Sequence, residues 1–145
     1  MRKWIFGLLA VAAVSVSAQA QSPEKGLKTG YIILHYTGEV LPGQMDKFKQ
    51  VAAKVIAAVA KEPGTLMYEW TLRPDQKTFD VTELYKNSDA VVAHVKHVIG
   101  DFGKELGEVQ KETGAVFHGH LNEEARKAAE GLNPTYQTPI DGFVK

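Results

Sequence analysis

The sequence predicts one α+β domain with the element order β-α-β-β-α-β and a four-stranded antiparallel sheet. Three observations lead there. Two stretches carry apolar residues at helical spacing, and each is flanked by runs rich in β-branched and aromatic residues. The two middle runs are joined only by RPDQK, Arg73 to Lys77, a polar connection of hairpin length. The chain has the length of a single domain and carries neither an internal repeat nor a low-complexity tract.

The first residues read as an address rather than as structure. Arg2 and Lys3 precede an apolar run from Trp4 to Val16. Ser17-Ala18-Gln19-Ala20 then ends in the small-x-small pattern of signal-peptidase cleavage. The run falls short of the roughly 20 apolar residues that span a bilayer. The expectation is a signal peptide over residues 1–20, export to the periplasm or beyond, and a polar leader over 21–29. The domain itself is expected over 30–122, with a C-terminal helix and docking tail over 123–145.

Tyr31 to Thr37, YIILHYT, predicts the first strand. Met45, Phe48, Ala52, Val55 and Val59 recur at spacings of three and four, which predicts an amphipathic helix with one buried stripe. Pro63 ends that helix by steering Glu62 away from the α region. Gly64 is expected to supply the positive φ of a type II Pro-Gly turn. Strands two and three follow as Thr65 to Leu72 and Thr78 to Tyr85.

Asn87 or Ser88 can cap the second helix, whose stripe is Val91, Val95, Val98, Phe102, Leu106 and Val109. Gly100, Gly103 and Gly107 predict a kink or break near Gly100. A fourth strand is expected over Ala115 to Leu121. A short helix from about Glu123 to Glu130 is capped by Asn122 and stopped by Gly131. Leu132, Tyr136, Ile140 and Phe143 suggest a tail that docks on the domain.

This order is the ferredoxin-like split βαβ pattern, with helices on one face of the sheet. Strand one is apolar on both faces, since Tyr31, Ile33 and His35 alternate with Ile32, Leu34 and Tyr36. No remaining element is large enough to cover the second face, so sheet-to-sheet pairing into a homodimer is expected.

Composition excludes several function classes. The full chain balances 17 basic against 17 acidic side chains, and removing Arg2 and Lys3 leaves a net charge of −2. Such a surface offers no field for nucleic acid or anionic lipid. No second long apolar run suggests a membrane partner after cleavage. Cysteine is absent, which removes disulfides, thiolate catalysis and Cys-ligated metals.

Several stretches together resemble the antibiotic biosynthesis monooxygenase family, also called the dimeric α/β-barrel or quinol monooxygenase group. They are a strand before LPGQMDKF, then EPGTLMYEW, then FDVTELYKNSDAVVAHV. The end, GHLNEEARKAAEGLNPTYQTPIDGF, is similar to the tail of one branch. The resemblance implies a homodimer whose sheets pack together and a cavity between each sheet and its helices. It also implies O2 as co-substrate and oxygenation of hydroquinones or polycyclic phenols with no cofactor and no metal. One branch of the family degrades haem, with a helix histidine as iron ligand and a strand Asn and Trp. Here strand one offers His35 in place of an Asn, and Trp70 lies on strand two.

Against that background two residues are candidates for chemistry. Glu83 shares a strand face with Phe79, Val81 and Tyr85, where burial would raise its pKa and make it a proton acceptor. A structural carboxylate paired with His, Tyr or backbone would fit the same position. His94 matches the family's helix histidine in A-x-x-x-H, and imidazole can take a phenolic proton. It could equally be a buried His bonded to Glu83 or to a carbonyl. His97 reads as a surface residue. The pairs His94/His97 and His118/His120 have chelating spacing but no HExxH-type pattern, so no metal is expected.

Tyr68 and Trp70 share a face of strand two with Leu66 and Leu72, and Tyr85 and His35 complete the candidate substrate wall. Aromatics at this period serve core or interface packing just as well. The reaction expected from the resemblance has His94, oriented by Glu83, deprotonating a small aromatic or quinol-like substrate that then reduces O2. A non-catalytic dimeric module binding a small aromatic ligand, and a haem-binding or haem-degrading protein, are the alternatives.

Overall fold

The computed structural model describes residues 30–142, so the expected signal peptide and leader, and Phe143 of the tail, lie outside the described residues. The elements are β1 (Ile32–Val40), α1 (Met45–Val59), β2 (Thr65–Leu72), β3 (Thr78–Tyr85), α2 (Ser88–Val109), β4 (Gln110–His118), α3 (Glu123–Ala128), a 3-10 turn (Glu130–Leu132) and β5 (Thr135–Gln137). They form a single sheet of order β2-β3-β1-β4-β5. Its first four strands pair antiparallel in the ferredoxin-like arrangement, and β5 adds a short parallel edge beside β4.

Strand alternation decides what meets the helices. Ile32 and Leu34 of β1, Phe79, Val81, Glu83 and Tyr85 of β3, and Ala115 and Phe117 of β4 are all buried on one face. Against them α1 lays Phe48, Val51, Val55 and Val59, and α2 lays Val91, Val95, Val98 and Val109. Side chains of the opposite face, among them Ile33, His35, Leu84, Val116 and His118, are half-buried or exposed. Two glycines are required by close approach. At Gly38, beside a bulge in the β1–β4 register, an added Cβ would lie 2.5 Å from the Phe79 ring; at Gly64 it would lie 2.5 Å from the Ala90 Cβ.

Several sequence expectations change here. Gly64 is not among the glycines with positive φ; it is needed because the α1–β2 turn packs directly on the first turn of α2. Helix α2 runs without a break through its glycines, because Leu106 and Val109 bury against the sheet and pin its second half. It passes into β4 at Gln110, so the fourth strand begins and ends earlier than Ala115 to Leu121. Asn87 caps α2 by accepting from the Ala90 amide at 3.0 Å. Ser88 instead ties the two helix starts together by accepting from the Asn122 amide at 3.0 Å.

The tail is more structured than expected. Helix α3 ends at Ala128, and the left-handed residue that stops the following turn is Asn133, not Gly131. The β4–α3–β5 crossover then returns the chain parallel to β4. Tyr136 stacks on Phe117 at 5.8 Å and receives the Arg126 guanidinium on its ring at 4.1 Å. Ile140, by contrast, is exposed rather than docked. The bulge near the start of β2 also turns Leu66 out to solvent, away from the face that Tyr68, Trp70 and Leu72 share.

Candidate functional site

The strand register brings the key side chains together. Tyr68 of β2 sits opposite Glu83 of β3, Trp70 opposite Val81, and Glu83 in turn opposite Leu34 of β1. These residues face α2, from which His94 projects one helical turn beyond Ala90. His94 and Glu83 are each only 4% exposed. The His94 ring is flanked edge-on by Tyr68 at 5.3 Å and Tyr85 at 5.2 Å.

The carboxylate that orients His94 is Glu62, which sequence reasoning treated only as the residue before Pro63. Glu62 Oε2 lies 2.9 Å from His94 Nδ1, and Glu83 Oε2 lies 3.3 Å from His94 Nε2. Thr65 Oγ1 donates to Glu62 Oε2 at 2.5 Å, and His97 Nδ1 lies 2.5 Å from Glu62 Oε1. A signal for this role was present in the chain. Glu62 follows the C-terminal end of α1, where the helix dipole disfavours an acid, so an acidic residue there calls for a partner elsewhere.

The two carboxyls are driven apart in acidity. Burial pushes Glu83 up to about 8 and the nearby Glu62 charge adds to it, against a lowering bond from the Tyr85 hydroxyl. Burial also acts to raise Glu62, but hydrogen bonds from Thr65, His97 and His94 outweigh it and hold Glu62 below the usual carboxylate value. Burial lowers the His94 pKa, opposed by Glu62. At neutral pH this leaves an ionised Glu62, a neutral His94 and a mainly protonated Glu83. Ionised Glu62 can only accept, so His94 carries its proton on Nδ1 and directs the Nε2 lone pair toward Glu83.

Beside this chain lies a cavity of about 740 Å3 between the sheet and the second half of α2. Tyr36, Tyr68, Trp70 and Glu83 line it from the sheet, His94 from α2, and Gln110 from the far end. Its wall is aromatic: Trp70 stacks on Phe79 at 5.5 Å, and Phe48 packs on both. Burial raises the Tyr68 pKa far beyond that of a free phenol, and pushes Tyr36 up to about 12. Both therefore remain hydrogen-bond donors. Tyr36 donates to Gln110 Oε1 at 3.1 Å. Among the described residues no acceptor meets the buried Trp70 Nε1, although it is near enough to the Tyr68 hydroxyl to temper its rise.

Of the sequence-proposed residues, Glu83, His94, Tyr68 and Trp70 converge on this cavity, and Tyr85 stands behind Glu83 as its donor. His35 does not join them. It is exposed on the opposite face of the sheet, near Thr82 and edge-on to His118 at 5.9 Å. Tyr36 and Gln110 enter the wall unannounced, since the two-residue period says which side chains share a face but not which face meets the helices. His97 is not a free surface residue, because Glu62 holds it. Among the described residues no group of three or more His, Asp or Glu side chains is placed to hold a metal ion. Glu62 holds His94 Nδ1, while Nε2 is met by the longer 3.3 Å contact with Glu83 Oε2.

Comparison with known proteins now adds to this geometry. Residues 31–99, which span β1 to the middle of α2, match the sequence profile of the antibiotic biosynthesis monooxygenase family. Over these residues the chain carries a domain of that family. Both Glu62 and His94 fall inside the matched segment of the monooxygenase domain, whereas α3 and β5 lie beyond it. No curated protein matches the sequence. Among solved structures, MupZ from Pseudomonas fluorescens is similar at TM-score 0.71 and 20% identity, over 86% of this chain and 94% of its own. A candidate antibiotic biosynthesis monooxygenase from Caulobacter crescentus has TM-score 0.54 and 28% identity, covering 61% and 86%. SnoaB from Streptomyces nogalater, a cofactor-independent oxygenase, has TM-score 0.56 and 14% identity, covering 64% and 95%.

Proposed function

We propose that this protein is an exported, cofactor-independent monooxygenase that oxidises an electron-rich hydroquinone or phenol with O2. The observation that carries the reading is the Glu62–His94 dyad at the edge of a large aromatic-walled cavity. A buried carboxylate behind Nδ1 and a lone pair on Nε2 make His94 a general base, and the aromatic walls suit a flat phenolic substrate beside it.

In the proposed reaction the substrate's hydroxyl displaces the long Glu83 contact and gives its proton to His94 Nε2. Glu62 stabilises the imidazolium that forms. The phenolate passes one electron to O2, leaving a substrate radical and superoxide. These recombine at a ring carbon that bears hydrogen, giving a peroxide anion that takes a proton from the acids at hand, His94 or the neutral Glu83 carboxyl. Loss of water from that carbon leaves a quinone carbonyl. One oxygen atom thus enters the product and the other leaves as water, and the substrate supplies all the electrons. Tyr68, which lines the cavity and keeps its proton, can donate to the substrate oxygen as charge develops on it.

The protein is proposed to act as a homodimer through the outer sheet face, where Ile33, Leu84 and Val116 need cover and Met67 is 41% exposed. The reading is tested by O2 uptake with monocyclic and bicyclic hydroquinones in chelator-treated buffer. Uptake that falls on His94→Ala supports it. No turnover of any electron-rich phenol removes it.

A further inference from the structure

One carboxylate on this site serves two imidazoles. Glu62 gives Oε2 to His94 at 2.9 Å and Oε1 to His97 at 2.5 Å. The two histidines stand one turn apart on α2, His94 buried and His97 partly exposed. His97 Nε2 turns outward to Asp101 Oδ2 at 3.6 Å, one turn further along the same helix, and Asp101 is exposed. The run His94–Glu62–His97–Asp101 therefore leads from the cavity wall toward bulk water, the 3.6 Å approach of Asp101 being its outermost and longest step.

We propose that His97 is a positioning residue for the His94 base: it fixes the Glu62 carboxylate that orients His94, and its charge sets how much of that carboxylate His94 commands. The inference rests on the reading of His94 as the base, but its physical content stands apart from any substrate.

Electrostatics couples the two imidazoles through Glu62. A single ionised Glu62 can neutralise one neighbouring imidazolium fully, not two. When His97 is protonated, Glu62 and Asp101 both face it, and a second proton on His94 meets a carboxylate already satisfied. When His97 is neutral, Glu62 is left to stabilise the His94 imidazolium alone. The other groups facing the pair are Glu83 and Tyr85 from β3, Tyr68 from β2, and Thr65, which holds the Glu62 oxygen that His94 uses. Phe102 packs edge-on against His97 at 6.0 Å and shields its inner side. Among these, His97 and Asp101 are the groups that carry the chain out to solvent, so surface charge reaches His94 through them.

The experiment is a pH titration of imidazole 15N resonances in the full protein, comparing wild type with His97→Gln and His97→Ala. Glutamine keeps a donor to Glu62 but cannot charge, so the His94 midpoint is expected to move upward by about half a pH unit or more, as for removal of a neighbouring like charge. In His97→Ala the His94 Nδ1–H signal is expected to lose its strongly hydrogen-bonded shift as Glu62 is released. An unchanged or lowered His94 midpoint in His97→Gln overturns the proposal. Should that variant not fold, His97→Asn, which likewise removes the charge and keeps an amide donor, is expected to move the His94 midpoint the same way, and no movement there also overturns it. The acid limb of kcat/KM with a hydroquinone is expected to shift with the His94 midpoint. If no hydroquinone is turned over, the monooxygenase reading fails while the titration still decides the role of His97.

Discussion

Glu83→Gln separates the titration of the buried carboxyl from its shape. In the folded chain Glu83 is pushed up to about 8 from its ordinary 4.5, with burial as the main cause. A group whose folded pKa is raised contributes stability fully present below the unfolded value and lost as pH climbs through the folded value. The window is therefore from about 4.5 to about 8, and within it the folded state retains a proton that the unfolded state has released. At about 1.4 kcal/mol per pH unit, the integrated loss is on the order of 5 kcal/mol. Glutamine has no such proton, and its fixed cost or gain at the site is the same at every pH. His94, whose folded pKa is lowered by burial, contributes with the opposite sign in both proteins and largely cancels in the difference. Urea unfolding at a series of pH values measures that difference. Wild type is expected to lose stability relative to Glu83→Gln by about 1–1.5 kcal/mol per pH unit across the window. A difference that is flat, or in which wild type gains on Glu83→Gln as pH rises, would refute the claim that Glu83 is buried as the neutral acid.

Three further outcomes follow from the same geometry. Tyr85→Phe removes the buried donor to Glu83, so it is expected to cost about 1–3 kcal/mol in urea unfolding; because that bond holds the Glu83 pKa down, the stability loss with pH should extend to higher pH than in wild type. Gly64→Ala drives a methyl group into the Ala90 Cβ, with an expected loss of about 1–3 kcal/mol, a pre-His94 strain visible as a shift in the Glu62-bonded imidazole signal. Haem titration is expected to give no Soret change that depends on His94, since β1 carries no Asn where the haem-degrading branch has one; a band abolished by His94→Ala would contradict this.

The fold was legible because its signals were periodic. The stripe Phe48, Ala52, Val55 and Val59, the RPDQK connection and the Asn87 and Asn122 caps each name a local structure with a local cause. What escaped depends on contacts distant in sequence. Gly64 looks like a turn glycine, and only the approach of Ala90, brought in by the β3–α2 connection, shows that its missing side chain matters more than its φ. The three glycines of α2 argue locally for a break, but burial of Leu106 and Val109 outweighs the local cost.

The site divides in the same way. Glu83 announced itself as a carboxyl on an apolar strand face, and His94 as a histidine beside a valine stripe. Glu62 gave only the indirect sign of an acid after a helix C-terminus, because its partners Thr65, His94 and His97 assemble only when α2 folds back over the α1–β2 turn. His35 shows the converse limit. Strand one is apolar on both faces, so alternation alone could not tell that Leu34 and Tyr36, rather than His35, would line the cavity.

The proposed base is tested most directly by oxygen consumption with a hydroquinone under single-turnover conditions, in wild type, His94→Ala and Glu62→Gln. If His94 takes the phenolic proton with Glu62 behind it, uptake falls by about 100-fold or more in His94→Ala, with a smaller but clear drop in Glu62→Gln. Wild-type turnover that survives both substitutions unchanged would contradict the account.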